Sequence, residues 1–179
     1  MGEPRTPAPV APVCALTYRS PSVRDLAAAR LSGRLGRVAA ACEPYAFDHT
    51  RYYEKEMGSP LFKQILVFED SVDAGSLPDL KHFTNALELD LAENGRRRVN
   101  CDAGYLAPAR LVLASTKDFA HRLYLGLGIY GEVTLLYQGG TFTPLPWTYP
   151  DFREKACLDF LNGARRWYLE GGRSAPRED

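Results

Sequence analysis

The spacing of hydrophobic and polar residues changes repeatedly along the first half of the chain, and each change predicts a different element. Alternating or continuous apolar runs predict strands, and apolar residues three or four positions apart predict helices. Ser20 and Pro21 mark the start of the first helix, as a cap and a first-turn proline, and Gly36 ends it. The pattern predicts strand, helix, strand, strand, helix and strand, at residues 13–18, 21–35, 38–45, 62–68, 77–91 and from 99 onwards.

This order of elements is that of the split βαβ, or ferredoxin-like, arrangement, in which strands that neighbour in space run antiparallel. We therefore expect an α+β fold, with a sheet that contains antiparallel strands and with helices on one of its faces. A C-terminal β-hairpin and a final amphipathic helix are expected to extend this arrangement.

The last third of the chain carries the signals for that extension. Residues 107–114 fit either a short helix or a strand, because their apolar run is compatible with both. Residues 123–125 and 132–137 are predicted to pair as a hairpin. The final helix is predicted to begin near Pro150, with a buried face formed by Phe152, Ala156, Phe160, Leu161, Ala164 and Trp167.

Length and charge limit the classes of protein to consider. The chain has 179 residues, enough for one domain with a hydrophobic core. We expect a disordered leader at residues 1–12, a single domain at 13–170 and a disordered tail at 171–179. The 22 basic and 22 acidic residues cancel, so bulk charge gives no reason to expect binding to nucleic acid.

Two absences in the sequence bear on location and metal binding. No apolar run approaches the ~18–20 residues needed to span a bilayer, so no membrane association is expected. The four cysteines lie far apart, which argues against a zinc site built on paired cysteines. Isolated thiols in apolar surroundings favour a cytoplasmic protein.

The densest group of chemically active side chains lies at residues 47–58, which we call the polar segment. Asp48 or Thr50 is expected to cap a short helix at residues 50–57, which Gly58 ends. The free N–H groups and the dipole at the start of such a helix favour an anion. The alternative is a capped connector whose tyrosines only pack on the core.

A histidine next to carboxylates in this segment points to acid–base chemistry. We predict that His49 acts as the acid or base and that Asp48 or Glu54 orients its ring. Tyr52 and Tyr53 are expected to contact the ligand. Asp48, His49 and Glu54 are therefore the candidate catalytic residues.

Further polar side chains in the second half fit the recognition of a phosphate or carboxylate. Residues 100–105, which include Asn100 and Asp102, are predicted to end a strand in a polar turn, where ligands commonly bind. Lys117, His121 and Arg122 place three cationic or potentially cationic groups within one loop, beside two hydroxyls. The alternative for this loop is a solvated connection without a ligand.

Two more residues complete the candidate ligand-binding set. Trp147 lies in a rigid proline-rich segment, where it and Tyr149 could form the wall of a pocket or simply pack against the core and cap a helix. Glu132 adds a carboxylate. It follows a glycine motif at residues 126–131 that matches G-x-G-x-x-G, but a predicted strand follows the motif, which argues against a dinucleotide site.

Five motifs, in order along the chain, together resemble a known family. They are Pro44-Tyr45-Ala46-Phe47-Asp48-His49-Thr50-x-Tyr52-Tyr53-Glu54, Arg97-Arg98-Val99-Asn100-x-Asp102-x-Gly104-Tyr105, Leu113-Ala114-Ser115-Thr116-Lys117-Asp118, His121-Arg122-x-Tyr124-Leu125-Gly126 and Leu145-Pro146-Trp147-Thr148-Tyr149-Pro150-Asp151. Over roughly residues 12–170 the chain resembles the bacterial and archaeal family catalogued as domain of unknown function 4416. The resemblance implies no established reaction.

The candidate residues are predicted to converge on one cleft that binds a small anionic ligand. They are Asp48, His49, Glu54, Asn100, Asp102, Lys117, His121, Arg122 and Glu132. An enzyme of this kind would hydrolyse or transfer a group on a phosphorylated or nucleotide-like compound, with Lys117 and Arg122 holding the anion.

Two alternatives remain open. The same face could belong to a non-catalytic module that binds a nucleotide, an RNA end or a partner protein. The polar clusters could also serve separate structural purposes and never meet. The spacing of histidines and carboxylates gives no metal signature, so no metal site is predicted. The sequence indicates neither a cofactor nor an oligomeric state.

Overall fold

One antiparallel sheet of nine strands organises the structure, a computed structural model that describes residues 2–172. The strands are β1 Ala11–Tyr18, β2 Val38–Ala41, β3 Tyr45–Ala46, β4 Phe62–Phe68, β5 Val99–Ala107, β6 Arg110–Ser115, β7 Leu123–Gly126, β8 Ile129–Gln138 and β9 Thr141–Pro144. Their order is β2-β4-β1-β5-β6-β8-β7, and β3 and β9 pair with β4 and β8.

The described part of the chain has four helices, α1 Pro21–Leu35, α2 Glu54–Met57, α3 Leu77–Asp90 and α4 Lys155–Leu169. Of these, α1, α3 and α4 pack on the two faces of the sheet. Short 3-10 turns precede α3 and α4, at Ala74–Ser76 and Pro150–Phe152. The α+β class with a large antiparallel sheet is therefore as predicted.

Strand β1 lies in the interior of the sheet, between β4 and β5, and is buried along its whole length. Its alternate side chains point to opposite faces, as in any strand. Leu16 belongs to the core under α1 and α3, whereas Val13 belongs to the core under α4. The sheet thus has two apolar faces, and the final helix covers the face opposite to α1 and α3.

Elements with a clear hydrophobic period lie where the sequence predicts them. Helix α1 begins after Ser20 and ends before Gly36, and β4 has the predicted bounds. The ambiguous residues 107–114 include β6, a strand, because Leu111 and Val112 are buried in the cores on opposite faces of the sheet. The first strand begins at Ala11, so it includes the last two residues of the predicted leader.

Two helix predictions need correction. Helix α2 begins at Glu54 rather than near residue 50, because the Thr50 hydroxyl accepts a hydrogen bond from the N–H of Tyr52 at 3.1 Å and holds a turn there instead. Asp48 consequently caps no helix. Helix α4 begins at Lys155 rather than near Pro150.

The face of α4 that packs on the sheet also differs from the prediction. Its buried residues are Cys157, Leu161, Ala164 and Tyr168, whereas Ala156 is exposed. Among residues 2–172, no helix combines the length and the apolar character that crossing a membrane requires. Most of the predicted tail, residues 173–179, lies outside the described residues.

Substitution of Gly104 tests how closely β5 and β6 pack. A methyl group added there would overlap the backbone oxygen of Val112 and contact the Leu113 side chain at 2.6 Å. We expect Gly104→Ala to lower the free energy of unfolding by about 1–3 kcal/mol, measured by urea denaturation. The control, Gly163→Ala in α4, meets open space and should raise it by about 0.5–1 kcal/mol. Equal stability of Gly104→Ala and the wild type would contradict this packing.

Candidate functional site

Two adjoining cavities form a single concave surface, which we call the cleft. Their volumes are about 300 Å³ and 230 Å³. They share five lining residues: Tyr52, Tyr53, Asp102, Lys117 and Tyr149. These side chains come from the polar segment, from β5, from the loop after β6 and from the segment before α4, so the fold brings distant parts of the chain together here.

Lys63 forms the floor of the cleft. It lies on β4 among buried neighbours, and its Nζ is 2.5 Å from Oδ2 of Asp151 and 3.3 Å from Oδ2 of Asp102. The rings of Phe47 and Phe152 lie 5.2 Å and 4.8 Å from the same nitrogen. Burial acts to lower the pKa of Lys63, but the two carboxylates outweigh it and raise the pKa above its ordinary value. Lys63 is therefore a fixed cation rather than a nucleophile.

Asp102 is the carboxylate that reaches from the floor into both cavities. Burial acts to raise its pKa, but attraction to Lys63 and Lys81 outweighs burial and lowers it. The amide of Asn100 donates to its other oxygen at 3.0 Å. Because both oxygens already have partners, Asp102 is suited to fixing the orientation of its neighbours more than to moving protons.

Arg97 builds one wall of the cleft through a dense set of hydrogen bonds. Its guanidinium donates to Glu56 at 2.7–3.1 Å, to Glu88 at 3.1 Å and to Asn100 at 3.2 Å. It also lies 5.6 Å from the centre of the Tyr53 ring. Charge-assisted bonds of this kind are short and directional, so the wall is rigid.

The electrostatic environment along this wall shifts several ionisable groups. Hydrogen bonds from Arg97 lower the pKa of Glu56. Burial raises the pKa of Glu88, although Lys81 and Arg97 act in the opposite direction. Burial likewise raises the pKa of the Tyr53 phenol, which keeps it protonated. The wall therefore offers a neutral phenol beside paired charges.

Two residues at the rim remain available to a ligand. Lys117 makes no ion pair with any residue between 2 and 172, and its Nζ lies 4.8 Å from the centre of the Tyr52 ring, which is itself 62% exposed. His49 lines the larger cavity, and its Nε2 lies 3.6 Å from Oε1 of Glu154. The carboxylate next to His49 is thus that of Glu154, and not that of Asp48 or Glu54 as we predicted.

The Arg122 cluster lies behind the cleft. Its Nε donates to Glu132 at 2.7 Å, and Nε2 of His121 is 3.2 Å from the same carboxylate oxygen. Arg122 also donates to the Tyr149 hydroxyl at 3.0 Å and to the carbonyl of Lys117 at 3.0 Å. Because this guanidinium is fully hydrogen-bonded within the protein, it positions the lining residues Lys117 and Tyr149 instead of binding an anion itself.

Trp147 is stacked beside this cluster. Its ring lies 5.3 Å from that of His121 at an interplanar angle of 13°, and its Nε1 donates to the carbonyl of Val133 at 2.9 Å. Trp147 therefore covers the Arg122 cluster and does not form a wall of the cleft.

The predicted residues divide into two groups. The structure brings six of them to the cleft: His49, Tyr52, Tyr53, Asn100, Asp102 and Lys117. It places the other six outside its lining: Asp48, Glu54, His121, Arg122, Glu132 and Trp147. Asp48 lies instead at a separate cavity of about 270 Å³, which it shares with His49 and Glu154.

The sequence analysis missed several residues that line the cleft, among them Lys63, Lys81, Arg97 and Asp151. One of them left a readable signal. A lysine inside a strand with a nearly continuous apolar pattern is seldom buried without a partner, so Lys63 implied a carboxylate on a neighbouring element. Within residues 2–172, no group of three histidine, cysteine or acidic side chains is arranged to hold a metal ion.

Comparison with known proteins agrees with the resemblance seen in the motifs. A family model described as "Domain of unknown function (DUF4416)" matches residues 8–168. No curated protein matches the chain, and no solved structure matches it.

Removing the Lys63 ammonium should leave Asp151 as a buried charge without compensation. We expect Lys63→Met to lower the free energy of unfolding by about 3–5 kcal/mol, measured by urea denaturation. Lys63→Met combined with Asp151→Leu should recover part of that loss, because the orphaned charge is gone. The control Lys155→Met, at an 87% exposed side chain, should change stability by less than about 0.5 kcal/mol. A single variant as stable as the wild type would contradict the role of Lys63.

The lowered pKa of Asp102 predicts a specific pH dependence. Its contribution to stability is present above the ordinary aspartate pKa of about 3.9 and is lost as the pH falls through the lower value of the folded state. Between about pH 5 and pH 3 the stability of Asp102→Asn should therefore fall less steeply than that of the wild type. Urea denaturation across this range measures both slopes, and parallel slopes would refute the prediction.

Proposed function

We propose that this chain, which belongs to the family described as domain of unknown function 4416, binds a small phosphorylated or nucleotide-like anion in the cleft. The observation that carries the proposal is the position of Lys117. It stands at the rim beside exposed aromatic rings, and its charge is not matched by a carboxylate within residues 2–172.

The charge distribution of the cleft supports an anionic ligand. The carboxylates Asp102 and Asp151 are paired with Lys63, and Glu56 and Glu88 are paired with Arg97. Lys117 therefore adds a positive charge at the rim that no carboxylate within residues 2–172 pairs with. A phosphate would therefore bind at Lys117, with the buried lysines adding attraction from below.

The aromatic rim supports a ligand that also carries a planar group. Tyr52 and Tyr149 are 62% and 48% exposed, and both line the two cavities. A base or similar ring stacked on such side chains gains about 1–3 kcal/mol. Asn100 and Asp102 lie deeper and offer polar edges that such a ring could contact.

His49 is the residue we propose for catalysis, if the bound compound reacts. It faces the larger cavity, and Glu154 lies close enough to orient its ring. In a hydrolysis or transfer, His49 would remove the proton of the attacking water or hydroxyl while Lys117 holds the anion.

A non-catalytic binding module is the second candidate, and one observation favours it. Lys63 is held protonated and both oxygens of Asp102 have partners, so the buried charges offer no free base. Proton transfer then depends on His49 alone. Under this alternative the cleft recognises a nucleotide, an RNA end or a partner without changing it.

The fold topology and the cellular location are the subject of two further proposals. We propose a ferredoxin-like arrangement for residues 11–107, which is supported by the strand order β2-β4-β1-β5, by antiparallel neighbours and by the packing of α1 and α3 on one face. We also propose a cytoplasmic location, which is supported by the four free cysteines.

Lys117→Gln tests binding. A screen of nucleotides and sugar phosphates by thermal shift should identify a ligand, because a ligand specific for the folded state raises the unfolding temperature. Calorimetry should then show that Lys117→Gln binds this ligand with a dissociation constant at least about tenfold higher than that of the wild type, since a charge-assisted contact is lost. Lys155→Gln, exposed on α4, should bind like the wild type. The same affinity in all three proteins would refute the proposal.

His49→Gln separates the two candidate functions. If the protein is an enzyme, the variant should keep its dissociation constant within about threefold while kcat falls about 10²–10⁴-fold, because the acid or base is missing. Product formation followed by chromatography measures kcat. Absence of turnover in the wild type, with tight binding retained, would instead establish the binding module.

A further inference from the structure

A second concave surface lies on the other side of the wall that Arg97 builds. It encloses about 900 Å³, which is larger than either cavity of the cleft. Four of its lining residues are arginines, Arg19, Arg96, Arg97 and Arg98, and we call it the arginine groove. Two carboxylates from the described residues, Glu56 and Glu93, also line it.

Two of the four guanidinium groups are neutralised within the protein. Arg97 is bound to Glu56 and Glu88 by several hydrogen bonds. Arg98 lies 3.7 Å from Glu93, in an exposed pair of the kind that is screened by salt. Arg19 and Arg96 form no ion pair with the part of the chain that the structure describes, so the groove keeps an excess of positive charge.

The fold holds these arginines at one place. Tyr18 pairs with Val99 at the end of the β1–β5 ladder, and Arg19 and Arg98 are the next residues beyond this pair, just outside the two strands. The ladder therefore holds the backbones of these two arginines at the same end of the sheet. The groove thus concentrates positive charge at the edge of a protein whose formal net charge is zero.

Gly58 keeps the Arg19 guanidinium close to the backbone. It has a φ of 79°, which favours glycine, and an added methyl group would lie 2.9 Å from Nη1 of Arg19. The side chain therefore lies across the Gly58 backbone beside the groove, instead of extending freely into solvent. A positioned guanidinium loses less conformational freedom when it binds an anion.

We propose that the arginine groove binds an anion that carries two or more phosphate groups. Guanidinium groups match phosphate oxygens with two parallel hydrogen bonds, and Arg19 and Arg96 have this capacity free. A volume of about 900 Å³ exceeds what one phosphate occupies and suits a chain of phosphates. A free polyphosphate, a nucleoside polyphosphate and a short phosphodiester strand share this chemistry.

This proposal is independent of the proposed function. Arg97, which is paired with Glu56, lies at the boundary between the groove and the cleft. Lys117 lines the cleft and not the groove, whereas Arg19 and Arg96 line the groove and not the cleft. Variants on the two sides can therefore be compared with the same probe.

The test is calorimetric titration of the full chain with inorganic tripolyphosphate. Arg19→Ala combined with Arg96→Ala should bind at least about tenfold more weakly than the wild type. The matched control, Arg110→Ala combined with Arg166→Ala, removes two exposed arginines on β6 and α4 and should bind like the wild type. Lys117→Gln should retain the binding site that Arg19→Ala/Arg96→Ala removes, and any loss of binding in it should be confined to the cleft. Thermal unfolding without anion should be the same in all variants, because every substituted side chain is exposed.

Other outcomes overturn the proposal. Absence of binding to the wild type, or equal binding to Arg19→Ala/Arg96→Ala, would exclude the groove as a polyphosphate site. Loss of binding in Lys117→Gln alone would place the anion in the cleft and would support the proposed function instead. A nucleoside triphosphate and a short single-stranded oligonucleotide are then each tested for displacement of bound tripolyphosphate. The compound that displaces it at the lower concentration identifies the class of ligand that the groove binds.

Discussion

The contact on which the candidate site depends is the one between Lys63 and the carboxylates of Asp102 and Asp151. It joins strand β4, strand β5 and the segment that leads into the last helix. Moving such charges out of water is costly, and the cost is offset only if each partner stays in place. The positions of β4, β5 and the 3-10 turn before α4 are therefore coupled at the floor of the cleft.

Arg97 plays the corresponding part at the side. One guanidinium links the polar segment through Glu56, helix α3 through Glu88 and strand β5 through Asn100. The same side chain separates the cleft from the arginine groove. Two polar concave surfaces can thus lie next to each other without merging, because the charges between them are satisfied by the protein itself.

The sequence was sufficient where a local pattern determines the structure. Helix α1 and strand β4 follow from hydrophobic period and from Ser20, Pro21 and Gly36, which act within a few residues of themselves. It was insufficient for α2, where the Thr50 hydroxyl competes with helix formation. Glu154 lies far along the chain from His49, and the partners of Lys63 lie 39 and 88 positions away from it. No periodicity encodes such contacts.

The candidate site shows the same division. Residues were identified by chemical type, and six of twelve line the cleft. Those that do not, such as Arg122 and Glu132, bind each other instead. A charged side chain suggests that a partner exists, but whether the partner is a ligand or another residue depends on the tertiary structure.

The position of β1 between β4 and β5 has a consequence for how the protein is made. Of these two neighbours, β5 ends only at Ala107. Synthesis proceeds from the amino terminus, so this apolar strand is made before either neighbour. Pairings between distant segments also form slowly. Until β4 and β5 have been made, the nascent chain therefore carries an apolar strand with two unpaired edges, and such edges favour self-association.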